Sequence, residues 1–332
     1  MLKLAKSWAR SWAGSWARPW ARRALRRYEQ MRNAAQAKSE SRHVSKSEIT
    51  AGLSALGLKS GDVVMLHSSL RSVGYVPGGA TVIIEAILDT IGPLGTLIVP
   101  TYYQPGGSIL AACHAEGYVF DTRIHGTVLG ALPSAFLKFA GVERSVHPTH
   151  SVSALGPQAK YVTEFHHLAP SIFGAGSPWQ RCVELRGKIL GLGVTMGPIT
   201  FYHLLEDTVL GKFPLPVRMP QTFMLSCKDW AGKSISVPVT PLDPKYASQR
   251  IDTPGRGDLR EYFWREFEQA GLLTIGMVGE ARSWCADAEP FYDHLNMLME
   301  AGITIYSTPE ELAERPLKFR APESATREPE SI

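Results

Sequence analysis

Residues 63–101 read VVMLHSSLRSVGYVPGGATVIIEAILDTIGPLGTLIVPT. Val63-Val64-Met65-Leu66 is an apolar run of strand length. After a loop carrying Gly74, Gly78 and Gly79, the apolar positions Ile83, Ile84, Ile87, Leu88 and Ile91 recur at helical spacing, with Thr81 placed to cap them. Gly92-Pro93-Leu94-Gly95 ends that helix, and Thr96-Leu97-Ile98-Val99 is a second, β-branched run. Strand, helix and strand with a tight closing turn make a βαβ unit, which implies a parallel pair. The fold class is therefore α/β, with a mostly parallel central sheet flanked by helices.

The same pattern extends in both directions. Ser47 can cap a helix running through Leu58, residues 126–140 and 199–210 read as helices, and Lys188 to Leu192 reads as a buried strand. Between Phe213 and Arg256 seven prolines interrupt short runs at 222–226 and 234–237, joined by a turn with Asp229 and Gly232. This predicts an inserted antiparallel hairpin portion. Helical spacing returns at Leu259, Tyr262, Phe263 and Phe267, followed by strands at 274–278 and 282–285 and a helix at 288–300. One α/β domain over 44–315 is expected, preceded by a basic extension over 1–43. Pro316, Pro322 and Pro329 among mixed charges mark 316–332 as a disordered tail.

The chain has 332 residues, 44% hydrophobic and 20% charged, and no uncharged apolar run approaches the ~18 residues of a membrane-spanning helix. Cys113, Cys182, Cys227 and Cys285 lie far apart, which argues against a structural zinc site and a disulfide framework and points to the cytoplasm. The net charge of +4 hides an asymmetry, because residues 1–43 hold eleven Lys or Arg against two Glu. A mildly acidic body with a basic head is not the footprint of a nucleic-acid-binding domain. Within that head, SWAR-SWAG-SWAR-PWAR places Trp8, Trp12, Trp16 and Trp20 within about 120° of arc on a helix, beside six arginines. Residues 1–28 so patterned suit the inner face of an anionic membrane; a disordered basic extension and a targeting segment are the other readings.

Phosphate loops, nucleophile elbows, zinc helices and dinucleotide fingerprints are all absent from the sequence. What remains are polar clusters: His67-Ser68-Ser69-Leu70-Arg71, Arg144-Ser145-Val146-His147-Pro148, Gly176-Ser177-Pro178, and Thr200-x-x-His203-x-x-Glu206. In the last, three-residue spacing sets His203 beside Thr200 and Glu206 on one side of a helix. An imidazole held by a carboxylate can take a proton from an amine or hydroxyl. Spacing alone nonetheless favours a structurally bonded histidine over a catalytic one. His67 reads as a core histidine, Ser68 and Ser69 as turn caps, and His147 to His150 as a loop rather than a metal site.

In this order the clusters resemble the aminoglycoside 3-N-acetyltransferase family. The matching stretches are 63–101, RSVHPTHSVSALGPQA (144–159), GAGSPWQRCVELRGKILGLG (174–193) and TFYHLLED (200–207), with the looser FDTRIHGTVLGALP (120–133). The resemblance implies an α/β core with an antiparallel portion, acetyl-CoA as co-substrate and no metal; the charge distribution is what argues against a nucleic-acid partner. It implies His203 as general base, with Thr200 and Glu206 beside it, and a further carboxylate from the Pro-rich region. Asp243 is the nearest candidate for that carboxylate, with Glu206 and Asp252 as alternatives. His67, Ser68, Ser69, Leu70, Arg144, Ser145, His147, Ser177 and Pro178 resemble the lining of the CoA path. Backbone N–H groups near Ser68 and Ser69 would meet the oxyanion.

Charge bears on the acceptor. Over 213–256, Asp229, Asp243 and Asp252 face six Lys and Arg, which points to an amino sugar of few charges, on a cell-surface polysaccharide or a nucleotide- or lipid-linked precursor. The alternatives are an aminoglycoside antibiotic, as in resistance, and a non-catalytic membrane-associated binding module on the same fold.

Overall fold

The computed structural model describes residues 42–209 and 211–314. The chain divides into two units, Met1–His43 and Val44–Ile332, and the fold described belongs to the second. The expected membrane-contact segment and the expected tail lie outside the described residues. Among the described residues no helix is long and apolar enough to cross a membrane.

In chain order the elements are α1 (Lys46–Ala55), β1 (Val63–Ser68), α2 (Ala80–Ile91), β2 (Thr96–Pro100), α3 (Ile109–Cys113), β3 (Val119–Asp121) and α4 (Ala131–Phe136). Then follow β4 (Glu143–Arg144), β5 (Val152–Leu155), α5 (Ala159–Thr163), α6 (Pro178–Glu184), β6 (Lys188–Leu192) and α7 (Tyr202–Thr208). The last are β7 (Phe223–Lys228), β8 (Ser234–Val239), α8 (Gly257–Gln269), β9 (Thr274–Val278), β10 (Ala281–Asp287), α9 (Ala288–Glu300) and α10 (Pro309–Glu314).

Seven strands form one sheet in the order β4-β5-β2-β1-β6-β10-β9. The centre is parallel, β1 pairing with β2 on one side and β6 on the other, while β5 and β10 run against their neighbours. Five of the seven strands thus point one way. Both faces are covered, which is why β1 reads as an unbroken apolar run. Val63 and Met65 enter one core with Trp179, Tyr202 and Phe291, whereas Val64 and Leu66 enter the other with Ile49, Ile83 and Phe136. A second sheet, β3-β7-β8, holds the expected hairpin, extended by β3 running parallel to β7.

Local chemistry moves several boundaries. Ser45 rather than Ser47 caps α1, in a capping box with Glu48, and α2 begins at Gly79 without a side-chain cap from Thr81. The helix expected over 126–140 shrinks to α4, because Gly130 sits at φ 102°, a left-handed conformation that a helix interior excludes. The helix expected over 199–210 is confined to α7, with Thr200 in the turn before it.

Trp284 of β10 lies opposite Gly191 of β6 and is fully buried. A methyl at Gly191 would overlap the Trp284 indole ring. Gly191→Ala is expected to cost about 1–3 kcal/mol of stability by overpacking, read as a lower thermal midpoint; an unchanged midpoint would show that the indole can move aside.

Candidate active site

Ligand crevices in α/β sheets open at the carboxyl ends of the strands. Here Tyr102 and Gln104 follow the end of β2, and Thr200 and His203 follow that of β6. Together they line a cleft of about 700 Å³, closed on its far side by Asp243, Tyr246, Arg250 and Asp252 and by Tyr306 after α9. The volume lies within the range of small-molecule sites.

α7 is short and buried on nearly all sides, Tyr202, Leu204, Leu205, Glu206 and Asp207 all being buried. His203 faces the cleft with its side chain 11% exposed, and the Glu206 side chain behind it is 1% exposed. His203 Nδ1 lies 2.9 Å from Glu206 Oε1. With the carboxylate ionised, Nδ1 carries the proton and donates, which leaves Nε2 as the basic nitrogen. The Tyr306 hydroxyl donates to the same Oε1 at 2.8 Å, and Arg218 Nη2 stands 4.0 Å from Oε2. Burial alone would push the Glu206 carboxyl up; His203, Arg218 and the Tyr306 hydroxyl together outweigh it and hold it below the ordinary carboxylate range. Burial, and then the Glu206 charge, push the Tyr306 phenol well up, so it remains a protonated donor.

Asp207 braces the other side. Its Oδ1 accepts from Arg218 Nη2 at 2.6 Å and Nε at 3.0 Å, and its Oδ2 accepts from the Phe173 N–H at 2.9 Å. Phe173 packs on the imidazole, its ring centroid 5.0 Å from that of His203. Thr200 Oγ1 accepts from Trp179 Nε1 at 3.2 Å. His150 also lines the cleft, with Thr149 Oγ1 2.9 Å from its Nδ1 and Gln104 Nε2 3.2 Å from its Nε2.

The structure therefore brings Thr200, His203 and Glu206 together, and of the three carboxylates weighed it is Glu206 that lies against the ring. Glu206 holds the ring, whereas Asp243, though it lines the cleft, accepts from the Lys245 N–H at 3.0 Å and pairs with Lys245 Nζ at 3.0 Å. Asp252 accepts from Arg250 Nε at 2.8 Å. The residues expected along the CoA path do not line this cleft. Arg144 is 2% exposed and donates to Ser151 Oγ and to the carbonyls of Thr101, His125 and Gly126, so its guanidinium is spent on the fold. Ser145 Oγ accepts from the Val152 N–H and meets His166 Nδ1, and His147 stacks on His166 with centroids 4.5 Å apart. Ser177 caps α6, with Pro178 as that helix's first residue. His67 is buried on β1, Leu70 opens a single 3-10 turn, and Ser68 and Ser69 are half-buried before it. The Ser69 N–H donates to the Leu192 carbonyl at 2.9 Å, which removes it as an oxyanion donor. Tyr306, Phe173 and Arg218 join the site from outside the quoted stretches, whereas Asp207 and His150 lie inside them without having been singled out for the site.

The charge argument also changes. Of the charged residues in 213–256, only Asp243, Arg250 and Asp252 line the cleft, two carboxylates against one guanidinium. The positive excess counted over that section belongs to residues outside the lining.

A carboxylate-held imidazole on the wall of a cleft, in an α/β chain, is an arrangement that can move a proton to or from a bound nucleophile. The family model for aminoglycoside 3-N-acetyltransferase matches residues 65–300, and the chain belongs to that family of acyltransferases. It is 30% identical over 265 residues to an aminoglycoside N(3)-acetyltransferase III of Salmonella sp, covering 74% of this chain and 88% of the relative. Among solved structures, AAC-IIIb in binary complex with CoASH is 25% identical with a TM-score of 0.65, covering 80% of this chain and 100% of that one. AAC-VIa bound to sisomicin is 26% identical with a TM-score of 0.64, covering 79% and 99%. These relatives back the alternative, an aminoglycoside 3-N-acetyltransferase, better than the cell-surface or precursor-linked amino sugar reading. Among the described residues no group of three His, Cys, Asp or Glu side chains could hold a metal ion.

The histidines make stability depend on pH. Burial lowers His67 and His166 to about 4 and holds His147 and His150 well below the ordinary imidazole value of 6.5. Above 6.5 both folded and unfolded chains are neutral at these rings, and the full stability is present. Between 6.5 and about 4 only the unfolded chain takes up protons, so stability falls as pH falls, by up to about 1.4 kcal/mol per unit for each ring. Denaturant midpoints at pH 7, 6 and 5 should decline in that order; a flat series would contradict the burial of neutral imidazoles.

Proposed function

We propose that this chain is an acetyl-CoA-dependent aminoglycoside 3-N-acetyltransferase in which His203 Nε2 is the general base. The observation that carries this is the buried Glu206–His203 pair on the wall of the cleft, in a chain that belongs to the family. An acceptor ammonium must lose a proton before its nitrogen can attack. His203 takes that proton, and Glu206 stabilises the imidazolium that results. The amine nitrogen then bonds to the thioester carbonyl carbon and loses its second proton to solvent as the carbon–sulfur bond breaks. The His203 imidazolium returns its proton to the departing sulfur, so that CoA leaves as the thiol. Because a thioester is already activated, alignment and a base suffice without a covalent enzyme intermediate. Tyr102, Phe173 and Tyr246 give the cleft aromatic walls against which sugar rings could pack, and Asp243 and Asp252 supply carboxylates for ammonium groups.

The Trp/Arg repeat in residues 1–28 supports a second role for the chain, contact with an anionic membrane surface. Aromatic rings favour the interface, and each Lys or Arg near such a surface is worth about 1 kcal/mol. The full chain is expected to sediment with phosphatidylglycerol vesicles and not with phosphatidylcholine vesicles at moderate salt; equal recovery in both pellets would discard this role.

Labelled acetyl-CoA with sisomicin or gentamicin is expected to yield a mono-acetylated product by mass spectrometry. His203→Ala should lower kcat by about 10³-fold while CoA binding measured by calorimetry persists. Near-normal turnover in that variant would remove His203 as the base, and absence of acetylated product with the unmutated chain would remove the acceptor class.

A further inference from the structure

The family match ends at residue 300, and Tyr306 lies beyond it. We propose that Tyr306 is a positioning residue for proton transfer: its hydroxyl anchors the Glu206 oxygen that also takes the His203 Nδ1–H. The inference rests on His203 being the base. Tyr306 is 1% exposed and its hydroxyl is 2.8 Å from Glu206 Oε1, across 100 residues of chain. Its own placement is fixed from several sides. The Tyr306 N–H donates to Thr304 Oγ1 at 3.2 Å, the Thr304 N–H donates to Ser307 Oγ at 2.9 Å, and the Ile305 carbonyl accepts from the Ile251 N–H at 3.0 Å. The ring packs edge-on to Tyr246 at 5.9 Å and to Phe213 at 6.3 Å.

One carboxylate oxygen thus takes two donors, while among the described residues Oε2 has no hydrogen-bond donor and only Arg218 at 4.0 Å. Two donors on Oε1 fix the rotation of the carboxylate, and hence the plane and tautomer of the imidazole. The hydroxyl also draws off part of the negative charge that would otherwise favour the imidazolium. The other charged or titratable groups facing the pair are Arg218 before β7, Arg250 and Asp252 on the loop over the cleft, and His150 after β4.

The test is Tyr306→Phe, which removes one oxygen and keeps the ring, assayed well below its unfolding midpoint. It is expected to lower kcat about tenfold with acceptor KM within about twofold, a fall set by the loss of one charge-assisted hydrogen bond. The acid limb of the kcat/KM profile should move to higher pH by about half a unit, because the carboxylate then favours the imidazolium more. In a Glu206→Gln background the same substitution should add less than about a twofold loss, since the groups act as a unit. Full additivity, an unmoved acid limb, a rise in acceptor KM alone, or a loss confined to the thermal midpoint would each overturn the proposal. His203→Ala run in parallel separates the two readings: if it stays active, the base assignment fails, and if it is inactive while Tyr306→Phe shows none of these kinetic changes, only the role of Tyr306 fails.

Discussion

A carboxylate 1% exposed in a protein core is the constraint around which this active site is organised. Burying an ion costs several kcal/mol unless partners compensate it. Glu206 draws that compensation from three separate parts of the chain: His203 one turn away on α7, Tyr306 after α9, and Arg218 on the approach to the hairpin. The anion thus draws its compensation from α7, the segment after α9 and the stretch before β7 together. Packing of the core and placement of the Glu206–His203 pair are therefore coupled.

The same coupling explains why Asp207 follows directly after Glu206. A seven-residue helix offers few inward positions, and adjacent residues point about 100° apart. Glu206 turns toward His203 and Tyr306, while Asp207 turns toward Arg218 and the Phe173 N–H. Arg218 thereby bridges both acids, and Phe173, held by Asp207, becomes the apolar wall of the imidazole. Positive charge, negative charge and aromatic packing close a loop around a ring that keeps one nitrogen toward the cleft.

Much of the fold was legible because it follows from short-range periodicity. The βαβ unit over 63–101, the strand Lys188–Leu192, the hairpin and the helix Ala288–Glu300 all read directly from apolar spacing and turn residues. What escaped were elements too short to have a period, such as β3 with three residues, β4 with two and α5 with five. Their positions come from ladder partners far away in sequence. β3 exists because Val119 to Asp121 lie alongside Ser226 to Lys228, and nothing local announces that. Boundaries failed where a cap competed with another cap, as Ser45 did with Ser47.

The site divides along the same line. His203 and Glu206 are three residues apart, so helical geometry alone brings them together; Tyr306 is 100 residues from its partner, and no spacing rule reaches that far. Residues that share a motif are not thereby placed at one site, as the HSSL turn shows. It stands at the carboxyl end of β1, where fold rules place ligand crevices. Yet β1 lies between β2 and β6, and the Ser69 N–H continues the ladder to the Leu192 carbonyl instead of turning toward the cleft. A backbone donor can serve the sheet or a developing oxyanion, and at Ser69 the sheet holds it. Charge follows the same logic. Summing over residues 213–256 mixes Lys228, Lys233 and Asp229 at the hairpin turn with Asp243, Arg250 and Asp252 on the cleft, and only the latter set the potential an acceptor meets at short range.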